Sequence, residues 1–386
     1  MPRLTNSQLL DITKELMAVE STAQNPAGLR KAYDIIVRLL QDSGKKITIE
    51  HFVSQGKPSL LAYKGSKRPK KFEIILNGHL DVVPGAPSQY QPVVKDGKLY
   101  GRGAYDMKAA AVILADTFCE FVDKVPFTLG LQIVTDEENA GKDGTLHQIR
   151  QGVRGDFVIC GDCGRSSTAY EIANETKGIA VGDISFSGSS AHGAYPWRGK
   201  NAILQAAQFV NAVHARYPTP NEETFKTTVT VTAITTSNQA HTKVPDNALV
   251  KIDARFTAHD KQFASQETFA AFIKSFDPDA QIVGMYDFCK PAYCSPKNAQ
   301  LLRLKAAAEK VEAHPFKFAM RHGTGVGRFY ANVGDEACEF GIAGEGQHSG
   351  DEYITLEAFN NYRATMQEFM AANVALRPAP MLQTAA

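Results

Sequence analysis

Short apolar runs of strand length recur along the chain, and each ends abruptly at an acidic or imidazole side chain. The first run, residues 74–76, leads into Asn-Gly-His-Leu-Asp, so that His79 and Asp81 lie two positions apart. Residues with this spacing point to the same side of a β-strand. An imidazole and a carboxylate placed side by side can bind a metal ion and orient the metal ligand. A solvated strand end with a chance ion pair accounts for this pair equally well. The choice between the two interpretations therefore depends on whether other strands end in the same way.

Three other apolar runs, at residues 127–134, 156–160 and 337–343, end in the same way. The polar residues that follow them are Asp136, Glu137, Glu138, Asp162 and His348. Near-continuous apolar runs of this length, separated by helical patterns, predict buried parallel strands with helices on both faces of the sheet. In such a sheet, ligands bind beyond the carboxyl ends of the strands. We therefore expect these side chains to converge on one site.

Apolar residues at three- and four-residue spacing predict helices that alternate with strands in the first and last parts of the chain. The helices predicted there are 7–17, 28–40, 109–121, 299–313, 327–332 and 356–375, with a strand at 316–320. In the region between these parts, the pattern predicts in order a strand, a helix, two strands, a helix and a strand. Their bounds are 178–187, 201–215, 227–236, 248–256, 262–276 and 281–286. That βαββαβ order is the ferredoxin-like split motif.

The length of the chain, 386 residues, exceeds the usual size of a single hydrophobic core, so two domains are expected. We predict an α/β protein in which residues 1–175 and 290–386 form one domain with a mainly parallel central sheet. The βαββαβ region, residues 176–289, is predicted to be a second domain inserted into the first.

The charge of the chain argues against some classes of partner. The 42 Lys and Arg residues nearly balance the 41 Asp and Glu residues, which gives a net charge of +1 and disfavours nucleic acid or an anionic membrane as the main partner. The basic stretch at residues 64–71 also contains Gly, Ser and Pro, which favours a solvated turn over a polyanion site. No segment approaches the ~20 apolar residues of a membrane span, and the first residues lack an apolar signal region. We therefore expect a cytoplasmic protein.

The six cysteines do not suggest a disulfide scaffold in a chain of this length, and we expect free, buried thiols. Cys160 and Cys163 form a C-x-x-C motif. A zinc ribbon needs a second such pair, and a redox motif does not ordinarily place Asp between its thiols. Asp162 is therefore the candidate functional residue in this motif.

The polar residues at the strand ends favour a metal centre. They are His79, Asp81, Asp106, Glu137, Glu138, Asp162 and His348. Carboxylates in one cleft repel each other unless cations neutralise them, and a mixture of imidazole and carboxylate suits zinc, cobalt or manganese better than magnesium or calcium. Asp106 lies in a glycine-bearing loop, residues 101–108, before a predicted helix. There it either bridges two ions at a separation of ~3.5–4 Å or caps the helix.

The adjacent acids Glu137 and Glu138 are suited to two different tasks. Neighbouring residues on an extended chain point in different directions, so one can ligate a metal ion while the other faces the substrate. A carboxylate beside a metal-bound water is a suitable general base, which takes the proton of the water and passes it to a leaving amine. Adjacent acids are also common on protein surfaces, so the interpretation depends on the strand ends taken together.

Three segments carry a resemblance to a known family. They read Asn-Gly-His-Leu-Asp-Val-Val-Pro at 77–84, Gly-Arg-Gly at 101–103 with Asp-Met-Lys at 106–108, and Asp-Glu-Glu at 136–138. In this order and spacing they resemble the M20 family of dinuclear zinc aminoacylases and carboxypeptidases, and the resemblance extends over nearly the whole chain. It implies a zinc-exopeptidase-like catalytic domain, an inserted lid domain at residues 176–289, and a homodimer formed through the lid domain.

The resemblance also implies a ligand set for two Zn²⁺ ions, with Co²⁺ or Mn²⁺ as possible substitutes. The implied ligands are His79 and Asp162 for one ion, Glu138 and His348 for the other, and Asp106 as the bridge between them. Glu137 is the implied general base, and Asp81 orients His79. Many relatives have Glu-Pro-Thr where this chain has Asp-Cys-Gly at residues 162–164.

In the lid domain, Ser-Ala-His-Gly-Ala-Tyr-Pro at 190–196 is similar to a family segment whose histidine stabilises the oxyanion, often across a dimer interface. This implies that role for His192, where an imidazole donor can lower the barrier by ~3 kcal/mol. Val-Pro-Asp at 244–246, with Arg255 after it, resembles the segment that supplies an arginine to the substrate carboxylate. The implied substrate-binding residues are Arg255, Tyr195, Thr324, Arg328 and His241. His241 stands where several relatives carry asparagine, and a surface ion pair is the alternative for both arginines.

Together these features predict an enzyme, a deacylase or a carboxypeptidase or dipeptidase, that hydrolyses an amide bond in an N-acyl amino acid or small peptide with a free carboxylate. The implied nucleophile is a metal-bound hydroxide, with Glu137 as the general base. The expected partner is a small molecule, with neither nucleic acid nor membrane. Two alternatives stay open. One is a non-catalytic metal- or peptide-binding protein on the same scaffold. The other is a dinuclear phosphoesterase, which requires more cationic phosphate contacts near the metals.

Overall fold

The computed structural model describes residues 4–162, 165–166 and 168–375. The chain divides into a first unit, made of Met1–Asn174, Tyr293–Ala319 and Gly325–Ala386, and a second unit, made of Glu175–Ala292 and Met320–Thr324. The segment Met320–Thr324 therefore belongs to the second unit, whereas the sequence pattern assigns it to the first domain. The backbone explains this difference, because the N–H of Lys177 donates to the carbonyl of Arg321 at 3.0 Å.

Six of the nine described helices begin at a side-chain cap that the sequence provides. The nine are α1 (Asn6–Met17), α2 (Pro26–Asp42), α3 (Lys108–Phe121), α4 (Thr145–Arg150), α5 (Ala202–Arg216), α6 (Gln266–Phe276), α7 (Ala299–Glu312), α8 (Gly327–Asn332) and α9 (Leu356–Val374). Thr5 and Gln8 form a capping box at α1, in which each side chain accepts the backbone N–H of the other residue. Asn25 caps α2, and Pro26 occupies its first turn, where a missing N–H is tolerated.

The strands fall into three sheets. They are β1 (Ile47–Ser54), β2 (Lys57–Lys64), β3 (Phe72–His79), β4 (Val93–Lys95), β5 (Lys98–Tyr100), β6 (Leu129–Val134), β7 (Gly155–Cys160), β8 (Glu171–Thr176), β9 (Gly178–Ser187), β10 (Thr228–Thr235), β11 (Asn247–Phe256), β12 (Gln281–Cys289), β13 (Lys317–Arg321), β14 (Glu336–Glu339), β15 (Gly344–Glu345) and β16 (Tyr353–Thr355). The largest sheet has the order β1-β2-β6-β3-β7-β14-β8-β13. Its middle strands β6, β3, β7 and β14 run parallel to one another, which confirms the predicted mainly parallel central sheet.

The apolar run at residues 337–343 forms a shorter strand than predicted, since β14 ends at Glu339. The backbone at Gly341 passes so close to the chain after β7 that a Cβ there would lie 2.1 Å from the carbonyl oxygen of Gly161. This close approach leaves no room for a side chain.

A small antiparallel sheet, of order β15-β16-β5-β4, is a feature that the sequence pattern does not predict. Its strands are two or three residues long, too short to show an alternation of apolar and polar residues. Tyr353 of β16 pairs with Tyr100 of β5. The segment after His348 is thereby fixed beside the loop that contains Asp106.

The second unit contains an antiparallel sheet of order β10-β11-β9-β12 together with α5 and α6. Along the chain its elements follow the predicted order βαββαβ. Its core is rich in phenylalanine: Phe186, Phe209, Phe256, Phe263 and Phe269 are all nearly or completely buried.

Helix α3 lies at the centre of the core of the first unit. It is apolar around nearly its whole circumference and contacts α1, α2, α9 and β3. The described cysteines are Cys119, Cys160, Cys289, Cys294 and Cys338, and all of them are buried thiols outside any disulfide bond. Among the described residues, no helix combines the length and the apolar character that crossing a membrane requires.

Phe118 of α3 provides a test of this core, because its side chain is completely buried. We expect Phe118→Ala to lower the free energy of unfolding by about 3–5 kcal/mol, since the substitution removes buried surface and leaves a cavity. Val94→Ala, at an exposed position of β4, is the control and should change the free energy by no more than about 0.5 kcal/mol. Urea denaturation followed by circular dichroism measures both. Equal effects of the two substitutions would contradict the assignment of α3 to the core.

Candidate metal centre

The predicted metal ligands lie at strand ends and in the loops beside them, all in the first unit. His79 is the last residue of β3, Asp162 follows β7, and Glu137 and Glu138 lie in a short 3₁₀ turn after β6. Asp106 precedes α3, and His348 lies between β15 and β16. Because β3, β6 and β7 are parallel neighbours, their carboxyl ends meet at one edge of the sheet.

Six side chains form two groups that can each hold a metal ion. The His79 group consists of His79, Glu137 and Asp162, and the His348 group consists of Asp106, Glu138 and His348. Within each group the potential ligand atoms all lie within 4.8 Å of one another. The predicted ligand pairs, His79 with Asp162 and Glu138 with His348, thus each fall into one group.

Asp106 connects the two groups through its two carboxylate oxygens. Oδ1 lies 2.9 Å from Nε2 of His79, and Oδ2 lies 3.2 Å from Nε2 of His348. Nε2 of His79 and Oδ1 of Asp106 are both buried, and neither has a hydrogen-bonding partner of good geometry. Buried polar atoms without a hydrogen-bonding partner destabilise the folded protein unless a bound group contacts them. A cation between the histidine and the carboxylate would do so, and the mixed imidazole and carboxylate donors fit a transition metal or zinc.

Asp81 contacts both His79 and the turn that carries Glu138. Nδ1 of His79 lies 3.0 Å from the backbone carbonyl of Asp81 and 3.6 Å from Oδ1 of its carboxylate. The other carboxylate oxygen of Asp81 accepts the backbone N–H of Glu138 at 2.9 Å. Asp81 is therefore placed to orient the ring of His79, and in addition it fixes the position of Glu138.

Two neighbouring residues that the sequence analysis does not identify also hold the centre. Lys57 of β2 forms an ion pair with the buried Asp136, whose other oxygen accepts the N–H of Asp143 at 2.7 Å and so fixes the turn. The amide of Gln347 donates to Oδ2 of Asp106 at 2.7 Å. Gln347 adjoins His348 in the sequence, which is a usable signal, whereas Lys57 gives none because it lies far from every motif.

In the absence of a bound cation, the charges of the protein shift the pKa values of the predicted metal ligands. Burial opposes protonation of His79, but the carboxylates of Asp106 and Asp81 outweigh this effect and place the pKa of His79 well above its usual value. Hydrogen bonds with Asp106 and Glu138 raise the pKa of His348 to about 10. Burial acts to raise the pKa of Asp106, but the two histidines outweigh it and hold that pKa well below its usual range.

The carboxyl groups of Glu137 and Asp162 shift in the opposite direction. Burial raises the pKa of Glu137 to about 7, and the nearby Asp106 and Glu138 add to the increase. Burial and then the charge of Asp106 raise the pKa of Asp162 well above its usual value. The centre thus contains more negative charge than it accommodates at neutral pH without a cation.

The residues predicted in the lid domain lie in the second unit. His192 and Tyr195 are exposed in the segment between β9 and α5, with ring centroids 5.8 Å apart, and His241 is exposed before β11. Arg255 of β11 donates to both carboxylate oxygens of Asp253, at 2.7 and 3.1 Å. It also donates to the hydroxyl of Thr324 at 3.2 Å. The structure therefore brings Arg255 and Thr324 together.

Arg328, another predicted substrate-binding residue, is buried in α8 of the first unit. Its guanidinium donates to the carbonyl of Gly325 at 3.0 Å and to the carbonyl of Ala140 at 2.8 Å. Ala140 ends the turn that contains Glu137 and Glu138. Arg328 thus joins this turn to the loop before α8. Cys163 and Gly164, of the C-x-x-C motif and the segment that departs from the relatives, lie outside the described residues.

The sequence model of peptidase family M20/M25/M40 matches residues 75–372, which is most of the chain. The chain belongs to this family. A succinyl-diaminopimelate desuccinylase from Janthinobacterium sp. (strain Marseille) is 27% identical over 383 residues, which cover 94% of this chain and 100% of that relative. As an M20 family member whose relatives are named as enzymes, the protein is a metal-dependent hydrolase.

Solved structures show the same fold. The aminopeptidase PepT from Bacillus cereus superposes with a TM-score of 0.73 at 19% identity, covering 96% of this chain and 99% of that chain. A dinuclear metal binding peptidase of the M20 family from Bacillus subtilis gives a TM-score of 0.65 at 14% identity, covering 96% and 98%. These likenesses confirm the α/β architecture with its inserted second unit.

The raised pKa values predict that metal binding releases protons. The pKa of His348 is raised to about 10, so His348 is protonated at pH 7 in the absence of a cation, and the pKa of His79 is raised as well. An imidazole must lose a proton before it ligates a metal ion. We expect at least the proton of His348 to be released when Zn²⁺ binds to metal-depleted protein at pH 7, and we expect the affinity to fall as the pH is lowered. Isothermal titration in two buffers of different ionisation enthalpy measures the number. A binding enthalpy independent of the buffer would contradict the prediction.

Proposed function

We propose that this M20 family hydrolase cleaves the amide bond of an N-acyl amino acid or of a small peptide with a free carboxylate. The observation that carries the proposal is the placement of Glu137. Its carboxylate is grouped with His79 and Asp162, and burial raises its pKa to about 7. A general base is most effective when its pKa lies near the working pH. The desuccinylase name of the relatives supports a substrate with an acylated amine.

We assign two Zn²⁺ ions to the centre, for which Co²⁺ or Mn²⁺ can substitute. The proposed ligands are His79 and Asp162 for one ion, Glu138 and His348 for the other, and Asp106 as the bridge. The position of one oxygen of Asp106 beside each histidine supports the bridging role. When bound, such ions polarise a carbonyl oxygen and lower the pKa of a water molecule.

In the proposed reaction Glu137 takes a proton from the attacking water, whose oxygen forms a bond to the amide carbon. Glu137 then passes the proton to the nitrogen as the carbon–nitrogen bond breaks, which releases an amine and a carboxylic acid. Asp81 holds the ring of His79 through Nδ1, so that Nε2 faces the centre.

We assign His192 to stabilisation of the developing oxyanion. Its Nδ1 accepts the backbone N–H of Ala194 at 3.1 Å, which leaves the ring proton of the neutral imidazole on Nε2. The exposed Nε2–H can therefore act as a donor, and a donor of this kind lowers the barrier by ~3 kcal/mol.

We assign Arg255 to the carboxylate of the substrate, with Tyr195, Thr324 and His241 as further substrate contacts. Asp253 and Thr324 hold the guanidinium of Arg255 in one orientation, which favours a planar, two-point contact with a carboxylate. Arg328 is better suited to positioning than to substrate binding, because it already donates to the carbonyls of Gly325 and Ala140.

Glu137→Gln tests the proposed base and separates a hydrolase from a protein that only binds metal or peptide. The variant should keep its metal, because Glu137 is not among the proposed ligands, while kcat should fall by about 10²–10⁴-fold for lack of a proton acceptor. Elemental analysis measures the metal content. Turnover is measured on acetyl, succinyl and formyl amino acids and on dipeptides. Undiminished hydrolysis in the variant would contradict the role of Glu137.

We also propose that the protein forms a homodimer through the second unit, by pairing of β10 with its counterpart. Strand β10 lies at an edge of its sheet, and its sequence, TVTVTAIT, contains no charge and no proline. Charged residues and prolines on the edge strands of monomeric proteins usually prevent these strands from pairing with another chain. An unprotected edge of this length is therefore suited to pairing with a second strand.

Thr230→Lys tests the dimer, since Thr230 is exposed on β10 and its substitution would place like charges near the two-fold axis. We expect the variant to sediment as a monomer at a concentration where the unaltered protein is a dimer. Val283→Lys, at an exposed position of the opposite edge strand β12, is the matched control and should leave the dimer intact. Dissociation by the control alone would place the interface at β12 instead.

A further inference from the structure

A buried ion pair, Arg102 with Glu352, lies beside the His348 group but contributes no ligand to it. Nη1 of Arg102 lies 2.6 Å from Oε2 of Glu352, and the two residues are only 2% and 1% exposed. Arg102 precedes Asp106 by four residues, and Glu352 follows His348 by four residues. Each partner of the pair is thus close in sequence to one ligand of the same group.

Hydrogen bonds extend from the pair to the backbone of both ligands. Oε1 of Glu352 accepts the N–H of Tyr105 at 2.9 Å and the N–H of Asp106 at 3.1 Å. Nη2 of Arg102 lies 3.4 Å from the carbonyl of His348, to which it donates. A continuous chain of hydrogen bonds therefore runs from the backbone of Asp106 through the ion pair to the backbone of His348.

The two ligands need such support because their loops are irregular. His348 has a φ of +62°, a left-handed conformation that a residue with a side chain adopts only when its surroundings enforce it. The strand pairing nearest to it joins Glu345 of β15 to Tyr353 of β16, so the residues between these two, His348 among them, belong to no strand. The strand pairing thus aligns the two loops, and the ion pair holds their ends at the ligands.

Stability of the fold does not by itself account for this pair. A buried ion pair contributes little net stability, because the desolvation of the two charges offsets their attraction, and a pair of apolar side chains often serves as well. Such a pair is distinguished by its directed hydrogen bonds, which position the groups that it contacts. Residues that orient metal ligands in this way typically change metal affinity by about 10–100-fold when they are altered.

We propose that Arg102 and Glu352 are positioning residues that set the separation of Asp106 and His348, and thereby determine the affinity of the His348 group for its metal ion. The inference rests on the dinuclear centre of the proposed function. The His79 group has a different support, the contacts of Asp81, and retains its ion when the pair is altered.

Two variants test the pair from its two sides. In Glu352→Gln one oxygen still accepts the N–H groups of Tyr105 and Asp106, but an amide N–H₂ faces Arg102 and the connection to His348 is broken. In Arg102→Lys a single ammonium replaces the planar guanidinium, so that it cannot satisfy both Glu352 and the carbonyl of His348. Arg102→Lys keeps the positive charge beside Glu352, so it tests the inference even if Glu352→Gln does not fold.

Asp116→Asn is the matched control. Asp116 of α3 forms a buried ion pair with Arg363 of α9 at 2.9 Å, also in the first unit, and neither residue is a proposed ligand. The control removes the same charge from a similarly buried arginine pair. Loss of stability alone should therefore be similar in Asp116→Asn and Glu352→Gln, while loss of metal should be confined to the latter.

The measurement is the Zn²⁺ content and the Co²⁺ affinity of each full-length protein, determined by elemental analysis and by competition with a chelator, alongside the melting temperature. We expect two ions in the unaltered protein and in the control, and weaker binding of one ion, by about 10-fold or more, in both variants of the pair. Wild-type affinity for both ions in Glu352→Gln and Arg102→Lys would overturn the inference, as would fewer than two ions in the unaltered protein. Two bound ions without amide hydrolysis in the unaltered protein would refute the proposed function alone.

Discussion

The candidate metal centre depends on the crowding of negative charge at the carboxyl ends of β3, β6 and β7. Parallel pairing brings these strand ends to one edge of the sheet, and the sequence places carboxylates there in addition to His79. Burial raises the pKa of Glu137 to about 7, and repulsion from the neighbouring acids adds to the increase. The same repulsion gives the centre its affinity for cations.

The scaffold holds these charges in place by hydrogen bonds to backbone groups as well as between side chains. Asp81 binds the N–H of Glu138, Arg328 binds the carbonyl of Ala140, and Glu352 binds the N–H of Asp106. Each contact fixes the segment that carries a ligand or the proposed base. The apolar helix α3 and the middle strands supply the rigid support, because a densely packed core has low compressibility.

The sequence predicts those parts of the fold that have long periodic patterns. The four middle strands follow from apolar runs that end at polar residues, and the βαββαβ order of the second unit follows from strand patterns and helical spacing. The small sheet of β4, β5, β15 and β16 could not be predicted, because strands of two or three residues have no detectable period. The assignment of Met320–Thr324 to the second unit depends on a long-range backbone contact, which a local pattern does not contain.

The candidate site could also be predicted only in part from the sequence. Residues at the ends of long strands, such as His79 and Asp162, could be found from the sequence because strand polarity determines where their side chains meet. The grouping of Asp106 with His348 required the family resemblance, since 242 residues separate them and no periodic pattern links their loops. Arg328 was predicted to bind the substrate. Its hydrogen bonds to the carbonyls of Gly325 and Ala140 could not be predicted from a local pattern, because they depend on the folded chain.

The two units carry different parts of the proposed function. Every proposed ligand and the proposed base lie in the first unit, so the proposed metal chemistry is assigned to that unit. Substrate selection is assigned mainly to side chains of the second unit, where Asp253 already neutralises part of the charge of Arg255. A substrate carboxylate must therefore compete with Asp253 or share the guanidinium with it, and a difference of one methylene in the substrate is worth only ~1–3 kcal/mol. A relative in sequence is named a desuccinylase and a solved structure with the same fold is named an aminopeptidase, so the fold does not by itself determine the substrate.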